Sequence, residues 1–320
     1  MRRELSLEVV RVTELAALAS ARWMGKGMKN EADGAATSAM RKMFDSVPIH
    51  GTVVIGEGEM DEAPMLYIGE KVGNGQGCEV DVAVDPVEGT ELVANGLNHA
   101  LAVVAIADKG QLLHAPDMYM EKLACGPMLK GKLSLDDPLP ETIRKASLYL
   151  NKNIEDITVS ILERERHAEQ IRTLRELGVR IKLLSAGDVA GAIATAFQES
   201  GVDLYVGSGG APEGVLAAAA LYCLEGELQG RLMPLDEEDH KRCKEMGIVD
   251  TNKILYMKDM VGEEDVIFAA TGITPGDFVS GVRFLPNQRA ETESIVMRAA
   301  TKTIRYIKSS HYMPGKFDIM

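Results

Sequence analysis

The sequence predicts an α/β protein of about two domains. Its 320 residues suffice for a large core, and 46% hydrophobic with 26% charged residues is typical of a globular chain. Between residues 157 and 224, short β-branched runs alternate with amphipathic helical segments. Such alternation predicts a sheet that is covered by helices on both faces.

The first part of the chain predicts two helices and then strands. Apolar residues recur at helical spacing from Leu5 to Trp23, and a second helical pattern ends before Pro48. The predicted elements of this part are helices over 5–23 and 31–44 and strands over 52–55, 80–84 and 100–107.

Residues 135–140, LDDPLP, are typical of a connector, so we predict domains over 1–135 and 136–320. A helix is predicted after this connector, and the tail over 292–309 suits a helix or a hairpin, with its β-branched residues favouring strands. The other predicted elements are strands over 157–162, 179–184, 202–206, 254–256, 266–269 and 278–284, and helices over 164–177, 188–197 and 212–224.

Charge and cysteine usage limit the kind of protein. The net charge of −13 argues against nucleic-acid and membrane-surface binding, both of which need basic surface. An acidic protein also needs cations to hold an anionic substrate. The four cysteines stand singly, as reduced thiols do, and the charged N-terminus lacks a signal-peptide core. Because no apolar run reaches membrane-spanning length, the expected location is the cytoplasm.

Acidic residues follow two of the predicted strands. The stretch AVDPVEGTEL places Asp85 and Glu88 at the end of one strand, and IGEGEMDE places Glu57 and Asp61 after another. Taken alone, either group fits a solvated surface loop. The Asp-Pro pair in DDPLPE only introduces a helix, so this dipeptide by itself indicates little.

Two strands of one sheet that end together would bring Glu57, Asp85 and Glu88 to one rim. Carboxylates placed in this way repel one another unless cations lie between them. An all-oxygen ligand set favours Mg²⁺ or Mn²⁺ over zinc. Thr90, which follows the permissive Gly89, would place a hydroxyl where it orients a metal-bound water.

Two glycine-containing turns also lead from strands into helices. The first, VGSGGAPEG over 206–214, has free N–H groups that suit a phosphate or a metal-bound oxygen. Glu213 in this turn is either a ligand or an acid that matches the helix dipole. Asp188, in the second turn, is an ordinary N-cap candidate.

Basic candidates are fewer. Arg164 and Arg166 fit either helical surface charge or a bidentate phosphate clamp, and Lys26 and Lys29 in GKGMKNEAD are similar. That stretch does not have the spacing of a Walker loop. The six histidines have no paired-ligand spacing and are interpreted as structural.

The motif DPVEGT occurs together with WMGKGMKNEAD, VVIGEGEMDEAPML, APDMYM, GDVAGAI and GSGGAPEGVLAA. Over essentially the whole chain, this combination resembles the class II fructose-1,6-bisphosphatases of the GlpX type, among the lithium-sensitive, metal-dependent phosphatases. The resemblance implies a sugar-phosphatase fold, a layered α-β-α-β-α sandwich of two α/β domains with the site between them. The N-terminal domain would bind the metals, and the C-terminal domain would contribute sugar-phosphate contacts.

The resemblance also implies roles for individual residues. Thr90 would position the attacking water together with Asp33 or Asp61. Arg164 stands where some members carry Lys, and Glu91 stands where a neutral residue is expected. The implied metal ligands are Asp33 and Glu57 for one ion and Asp85, Glu88 and Glu213 for a second. The implied substrate contacts are Lys29, Glu88, Gly89, Thr90, Tyr119, Arg164, Glu165, Arg166, Ala186, Gly187, Asp188 and Gly210.

The implied reaction is hydrolysis of fructose 1,6-bisphosphate to fructose 6-phosphate with two or more Mn²⁺ or Mg²⁺ ions, as in gluconeogenesis. Some members also hydrolyse sedoheptulose 1,7-bisphosphate. Two alternatives stay open: an inositol- or nucleotide-phosphate phosphatase of the same superfamily, and a non-catalytic metabolite sensor. Exposed strands at the tail further suggest a homo-oligomer, a dimer or a tetramer.

Overall fold

The chain folds into two compact units, each built on its own β-sheet. The computed structural model describes residues 1, 3–58 and 64–317. The first unit comprises Met1–Leu112 and Glu263–Met320, and the second comprises Leu113–Gly262.

The first unit begins with two helices, followed by strands that surround a short third helix. A short 3₁₀ segment, Ala21–Trp23, extends the first helix. In chain order the elements are α1 (Leu5–Ser20), α2 (Lys29–Phe44), β1 (Ile49–Ile55), β2 (Lys71–Val72), β3 (Cys78–Glu88), α3 (Thr90–Asn95) and β4 (Leu101–Asp108).

The second unit alternates strands and helices around a five-stranded sheet of order β7-β6-β8-β5-β9. β6 runs parallel to β7 and β8, whereas β5 is antiparallel to β8 and β9. Its elements are β5 (Tyr119–Cys125), α4 (Leu139–Leu150), β6 (Thr158–Leu162), α5 (Ala168–Glu176), β7 (Arg180–Leu184), α6 (Asp188–Ala194), β8 (Leu204–Gly210), α7 (Ala211–Cys223), β9 (Glu227–Leu232), α8 (Glu237–Glu245) and α9 (Met257–Met260).

The chain then returns to the first unit and completes its sheet. The strand order is β11-β12-β10-β4-β3-β1-β2, with β13 paired to β12. The closing elements are β10 (Val266–Gly272), β11 (Arg283–Leu285), β12 (Arg289–Arg298), β13 (Thr303–Tyr312) and α10 (Pro314–Phe317).

Apolar runs place the central strands in each core. Every residue of β10 and all but the last of β4 are buried, as expected for strands covered on both faces, and α1 packs against β4, β10 and β12. In the second unit, one sheet face packs with Ile143 of α4 and Leu174 of α5 in a single apolar cluster. The other face carries α6 and α7, which pack against β5.

The mixed α/β class is confirmed, and most predicted helices and strands are present. The tail forms strands β12 and β13, as its β-branched residues favoured. Two predicted strands are wrong: Leu255 makes an isolated bridge to Gly230 just before α9, and within 278–284 only residues from 283 onward are in a strand.

Among the described elements, three strands (β2, β5 and β9) and four helices (α3, α8, α9 and α10) were not predicted, and β2, α9 and α10 have four residues or fewer. β5 and β9 contain charged residues within short apolar runs, YMEKLAC and ELQGRL, so neither shows clean alternation. The helices α3 and α8 are short and polar, and α8 begins with three acidic residues.

The bounds of the two units differ from the predicted domains, 1–135 and 136–320, because β10 pairs with β4 and not with the second sheet. Within the described ranges, no helix combines the length and apolar character needed to cross a membrane.

Candidate active site

The predicted meeting of two strand ends is present in the first unit. β1 and β3 are parallel, with Ile55 opposite Ala83, so Glu57 and Asp85 leave the sheet at the same edge. The pairing of β3 with β4 shifts register between Asp85 and Glu88. Through this irregularity, the two acids offer carboxylate oxygens within 4.8 Å of each other.

Asp85 and Glu88 are held by their immediate surroundings. The Val87 N–H donates to Asp85 Oδ1 at 2.9 Å, which fixes the carboxylate over the following turn. Glu88 is only 4% exposed. A buried carboxylate next to a second one requires a counter-cation or a proton, since like charges in low dielectric repel strongly.

Asp33 and Glu57 form a second carboxylate pair at this edge. The Asp33 carboxyl group lies within α2 and is hydrogen-bonded to the Glu57 side chain. Burial raises the pKa of Asp33, while the Glu57 hydrogen bond and the Lys29 charge oppose this rise. The Thr37 hydroxyl donates to Asp33 O at 3.0 Å and lies 3.4 Å from Glu57 Oε2. Two carboxyl groups in hydrogen-bond contact share a proton, and a divalent cation can replace that proton.

Gly89 turns the chain from β3 into α3. Its φ of 86° is in the left-handed region, and a Cβ there would lie 2.7 Å from Leu92 Cδ1. Thr90 is therefore the first residue of α3, directly after the acidic pair. Asp61, the other residue predicted to position water, lies outside the described residues, as do its neighbours over 59–63.

Lys29 and Glu91 lie beside each other in the first unit. The Lys29 Nζ is 3.7 Å from Glu91 Oε1, and both side chains are more than half exposed. Glu91 therefore has a cationic partner at the surface, which explains how an acid is tolerated after the motif.

In the second unit, four strand ends gather at one sheet edge. β6, β7 and β8 run in the same direction, and antiparallel pairing places Tyr119 at the start of β5 opposite Gly210 at the end of β8. The predicted sugar-phosphate contacts Arg164, Ala186 and Gly210 thus follow or end adjacent strands. This is the edge at which ligands bind in open α/β sheets.

Arg166 is fixed at this edge by three contacts. Its Nε donates to Ser208 Oγ at 3.0 Å and its Nη2 donates to Ser208 O at 2.8 Å. Its guanidinium lies 4.6 Å from the centroid of the Tyr119 ring. Arg164 and Glu165 precede it, with Arg164 Nη1 donating to Glu163 O. An arginine held along one side by the protein presents its remaining donors to an anion.

His167 holds Ser208 in place, and this specific role was not predicted from the sequence. The Ser208 N–H donates to His167 Nε2 at 2.8 Å, so the proton is on Nδ1, which donates to Leu162 O at 2.8 Å. Burial lowers the pKa of His167, which keeps the ring neutral. His167 therefore acts through Ser208 and Arg166, and its position directly after an Arg-x-Arg motif was its only sequence signal.

Asp188 and Glu213 occupy the first turns of α6 and α7. Gly187, with φ of 87°, turns the chain so that Asp188 begins α6, and Lys122 Nζ donates to Asp188 Oδ2 at 2.6 Å. The buried Glu213 Oε2 has no hydrogen-bond partner among the described residues. Burial raises the pKa of Glu213, with a further rise from Asp188, while Lys122 opposes both.

The donor chemistry fits hard divalent cations. The candidate ligands are carboxylates, which Mg²⁺ and Mn²⁺ prefer. The hydrogen-bonded pair of Asp33 and Glu57, and the Glu213 oxygen that lacks a partner among the described residues, could each accept a cation in place of a proton or a donor.

Carboxylates that could hold a divalent cation, on an α/β scaffold, are the kind of site found in metal-dependent phosphatases. The chain belongs to the family of bacterial, glpX-encoded fructose-1,6-bisphosphatases, which it matches over residues 3–311.

Two relatives illustrate the similarity. The fructose-1,6-bisphosphatase 1 class 2 of Escherichia coli (strain K12) is 49% identical over 329 residues, covering 99% of this chain and 97% of the relative. The D-fructose 1,6-bisphosphatase class 2/sedoheptulose 1,7-bisphosphatase of Synechococcus sp. (strain JA-3-3Ab) is 44% identical over 340 residues, covering 99% and 98%.

Proposed function

We propose that this chain is a metal-dependent phosphoric monoester hydrolase that converts fructose 1,6-bisphosphate to fructose 6-phosphate and phosphate, a step of gluconeogenesis. The observation that carries the proposal is the match to class 2 fructose-1,6-bisphosphatases over 99% of the chain. The carboxylate pairs of the first unit and the Arg166 site of the second unit support it.

Two or more Mn²⁺ or Mg²⁺ ions would be held by carboxylates: Asp33 and Glu57 for one, and Asp85, Glu88 and Glu213 for another. When bound, such ions neutralise phosphate charge and activate water. The Asp33–Glu57 hydrogen bond, the 4.8 Å approach of Asp85 to Glu88 and the unpartnered Glu213 Oε2 support this assignment.

The residues around the acids would orient the attacking water and the sugar. Gly89 fixes the backbone at the start of α3, directly after the acidic pair, and the Thr90 hydroxyl would hydrogen-bond to the water from there. Asp33 or Asp61 would act as its carboxylate partner. Lys29, Glu88 and Gly89 would contact the substrate from the same unit.

The second unit would bind the phosphate that is not hydrolysed. Arg166 is oriented by Ser208 and stacks on Tyr119, so its free N–H groups are aimed at the solvent side of the sheet edge. The remaining proposed contacts on this edge are Arg164, Glu165, Ala186, Gly187, Asp188 and Gly210.

Sedoheptulose 1,7-bisphosphate is a second candidate substrate. The observation that favours it is the name of the Synechococcus relative, which gives that protein both activities at 44% identity. We also propose a cytoplasmic homo-oligomer, a dimer or a tetramer, and the exposed residues of β13 support the self-association.

The decisive test is phosphate release by the purified protein. With Mn²⁺ or Mg²⁺, we expect release from fructose 1,6-bisphosphate that stops on chelation and resumes when the metal is restored. Thr90→Ala should lower kcat by roughly 100-fold or more, since a positioned proton-transfer group contributes about that factor. Thr301→Ala, at a surface 3₁₀ turn, is the matched control and should leave kcat unchanged.

Two outcomes would contradict this proposal. Equal or faster turnover of inositol phosphate or a nucleotide monophosphate would favour another phosphatase of the superfamily. Release from none of the sugar bisphosphates, with Mn²⁺ binding retained in calorimetry, would favour a metabolite sensor. Inhibition by Li⁺ would support kinship with the lithium-sensitive phosphatases.

A further inference from the structure

Lys122 is a buried cation in the centre of the second sheet. Lys122 lies in the middle of β5 and is only 2% exposed. On the same strand face stand Met120 and Ala124, both fully buried, and α6 and α7 cover this face. A lysine in such an apolar setting is costly unless its ammonium is paired.

The ammonium is paired with Asp188. Lys122 Nζ donates to Asp188 Oδ2 at 2.6 Å, and the two side chains are 1% and 7% exposed. Glu213, in the first turn of α7, is the next anion that acts on this pair. Asp188 and Glu213 lie in the first turns of α6 and α7, at the sheet edge where we propose that phosphate binds. The buried Lys122 therefore places its positive charge next to the two acids of that edge.

Glycines around Lys122 leave space for this ion pair. A Cβ on Gly209 would lie 1.9 Å from Asp188 Oδ2 and 3.2 Å from Lys122 Nζ. A Cβ on Gly214 would lie 3.2 Å from Lys122 Cε. In the sheet, Lys122 is flanked by Gly207 and Gly230. The glycines at the end of β8 and in the first turns of α7 thus leave the space that the Lys122–Asp188 pair occupies.

We propose that Lys122 is a positioning residue, which acts through Asp188 to hold the Ala186–Asp188 turn and the Gly209–Gly210 turn in their binding arrangement. It does not touch the substrate, because its side chain lies beneath the glycine turn. This inference rests on the proposed function for the assignment of residues 186–188 as substrate contacts.

Three variants test the proposal: Lys122→Met, Asp188→Asn and the double variant. Met keeps most of the length of Lys122 without its charge. Each single change leaves one buried charge or donor unpaired, so we expect each to lower Tm by roughly 5 °C or more. The double variant should regain much of this loss because neither charge remains.

Kinetics separate positioning from stability. At a temperature where circular dichroism shows Lys122→Met to be folded, we expect KM for fructose 1,6-bisphosphate to rise about tenfold or more, with a smaller change in kcat. In the Asp188→Asn background, the change at Lys122 should have no further effect on KM, since Lys122 acts only through Asp188.

The matched control is Lys152→Met. Lys152 Nζ also donates to an aspartate, Asp203 Oδ1, at 2.6 Å in the same unit, but its side chain is 39% exposed. This variant should keep the wild-type KM and nearly the wild-type Tm, because exposed ion pairs contribute little.

Several results would overturn the inference. An unchanged KM in folded Lys122→Met would leave only a structural role. A double variant whose KM exceeds that of Asp188→Asn tenfold would show that Lys122 acts independently of Asp188, and this comparison is available even if Lys122→Met does not fold.

Failure of the proposed function is distinguishable from failure of this inference. If the wild-type protein hydrolyses no sugar bisphosphate, titration calorimetry with inorganic phosphate and Mn²⁺ replaces the kinetic measurement. We then expect the Kd for phosphate to be about tenfold higher for Lys122→Met than for wild type. Equal Kd values for the two proteins would overturn the proposal.

Discussion

Individual side chains at both sheet edges are oriented by contacts with neighbouring protein groups. Arg166 is held by two donated hydrogen bonds to Ser208 and by the Tyr119 ring, and His167 in turn holds Ser208. At the other edge, Lys29 pairs with Glu91. Such partners restrict the rotamers of long side chains before a ligand arrives, which reduces the entropy cost of binding.

Arg166→Lys tests whether the arginine fork matters beyond its charge. Lysine keeps the positive charge, but it cannot bind Ser208 through two nitrogens while also facing a phosphate. We expect KM for fructose 1,6-bisphosphate to rise roughly tenfold to 100-fold, with a much smaller change in kcat. Steady-state kinetics with saturating Mn²⁺ would measure both.

The control for this change is Arg172→Lys. Arg172 lies on α5, is 65% exposed and pairs with Glu169 at 2.5 Å, so its replacement should leave KM unchanged. If Arg166→Lys also kept the wild-type KM, the proposed role of the oriented guanidinium would be wrong.

Among the elements, the junction of β8 and α7 leaves little room for a side chain at Gly210. Gly210 has φ −63° and ψ 141°, a conformation that alanine adopts readily. A Cβ there would nevertheless lie 1.9 Å from Glu213 Oε2. An alanine at this position would therefore require the Glu213 carboxylate to move, although the backbone conformation itself suits alanine.

Gly210→Ala should consequently affect metal binding more than stability. The added methyl displaces the Glu213 carboxylate, so we expect the Kd for Mn²⁺ to rise by about tenfold to 100-fold, as for loss of groups that orient metal ligands. The free energy of unfolding of the metal-free protein should change by only about 1 kcal/mol. Calorimetry and urea denaturation would measure the two quantities.

Gly276→Ala offers a matched change without such a clash. The nearest atom to a Cβ at this loop position is 3.6 Å away, which is ordinary van der Waals contact. Its Kd for Mn²⁺ should equal that of wild type. A Gly210→Ala protein that bound Mn²⁺ as tightly would show that Glu213 is not a ligand.

On the scale of the whole molecule, the two ends of the chain close the first unit together. The β12–β13 hairpin packs against α1 through buried polar contacts: Thr292 Oγ1 lies 2.7 Å from His311 Nε2 and 3.4 Å from Glu14 Oε1. Burial lowers the pKa of His311 to about 4 from 6.5, with a smaller effect from Lys316. Burial of His311 between the hairpin and α1 therefore favours the neutral form of its ring.

Acid should weaken the protein through this histidine. Because the folded-state pKa is depressed, the unfolded chain takes up the proton first as pH falls, and protonation favours unfolding. The stability from neutral His311 is fully present above 6.5 and is lost as pH falls towards about 4. We expect the free energy of unfolding in urea to fall by about 2 to 3 kcal/mol from this group alone.

His311→Gln isolates this contribution, because the other titrating groups are common to both proteins. Its free energy of unfolding should fall less steeply with acid than that of wild type. His240→Gln, a change at an exposed histidine of α8, should follow the wild-type curve. If the free energy of unfolding of His311→Gln fell with acid as steeply as that of wild type, His311 would not be the source of the acid sensitivity.

Local sequence pattern was sufficient for much of the fold and for placing acidic residues at two strand ends. The apolar runs of β4 and β10, the helical spacing of α1 and the acids after β1 and β3 are readable because period and residue type carry the signal. The sequence pattern did not predict β5, because Lys122 is buried in this strand although lysine is a charged residue type. The strand predicted over 254–256 is also absent, because Leu255 makes only an isolated β-bridge to Gly230.

By itself, the sequence determined the α/β class, the acidic and glycine-rich strand ends and, by resemblance, the family. Only the tertiary structure decided that β1 and β3 run parallel and that Asp188 is held by Lys122 from a strand 66 residues away. The physical reason is that local pattern records which face of an element is buried. The partner of a buried charge depends on which distant strand lies beside it, and that is settled when the sheet assembles.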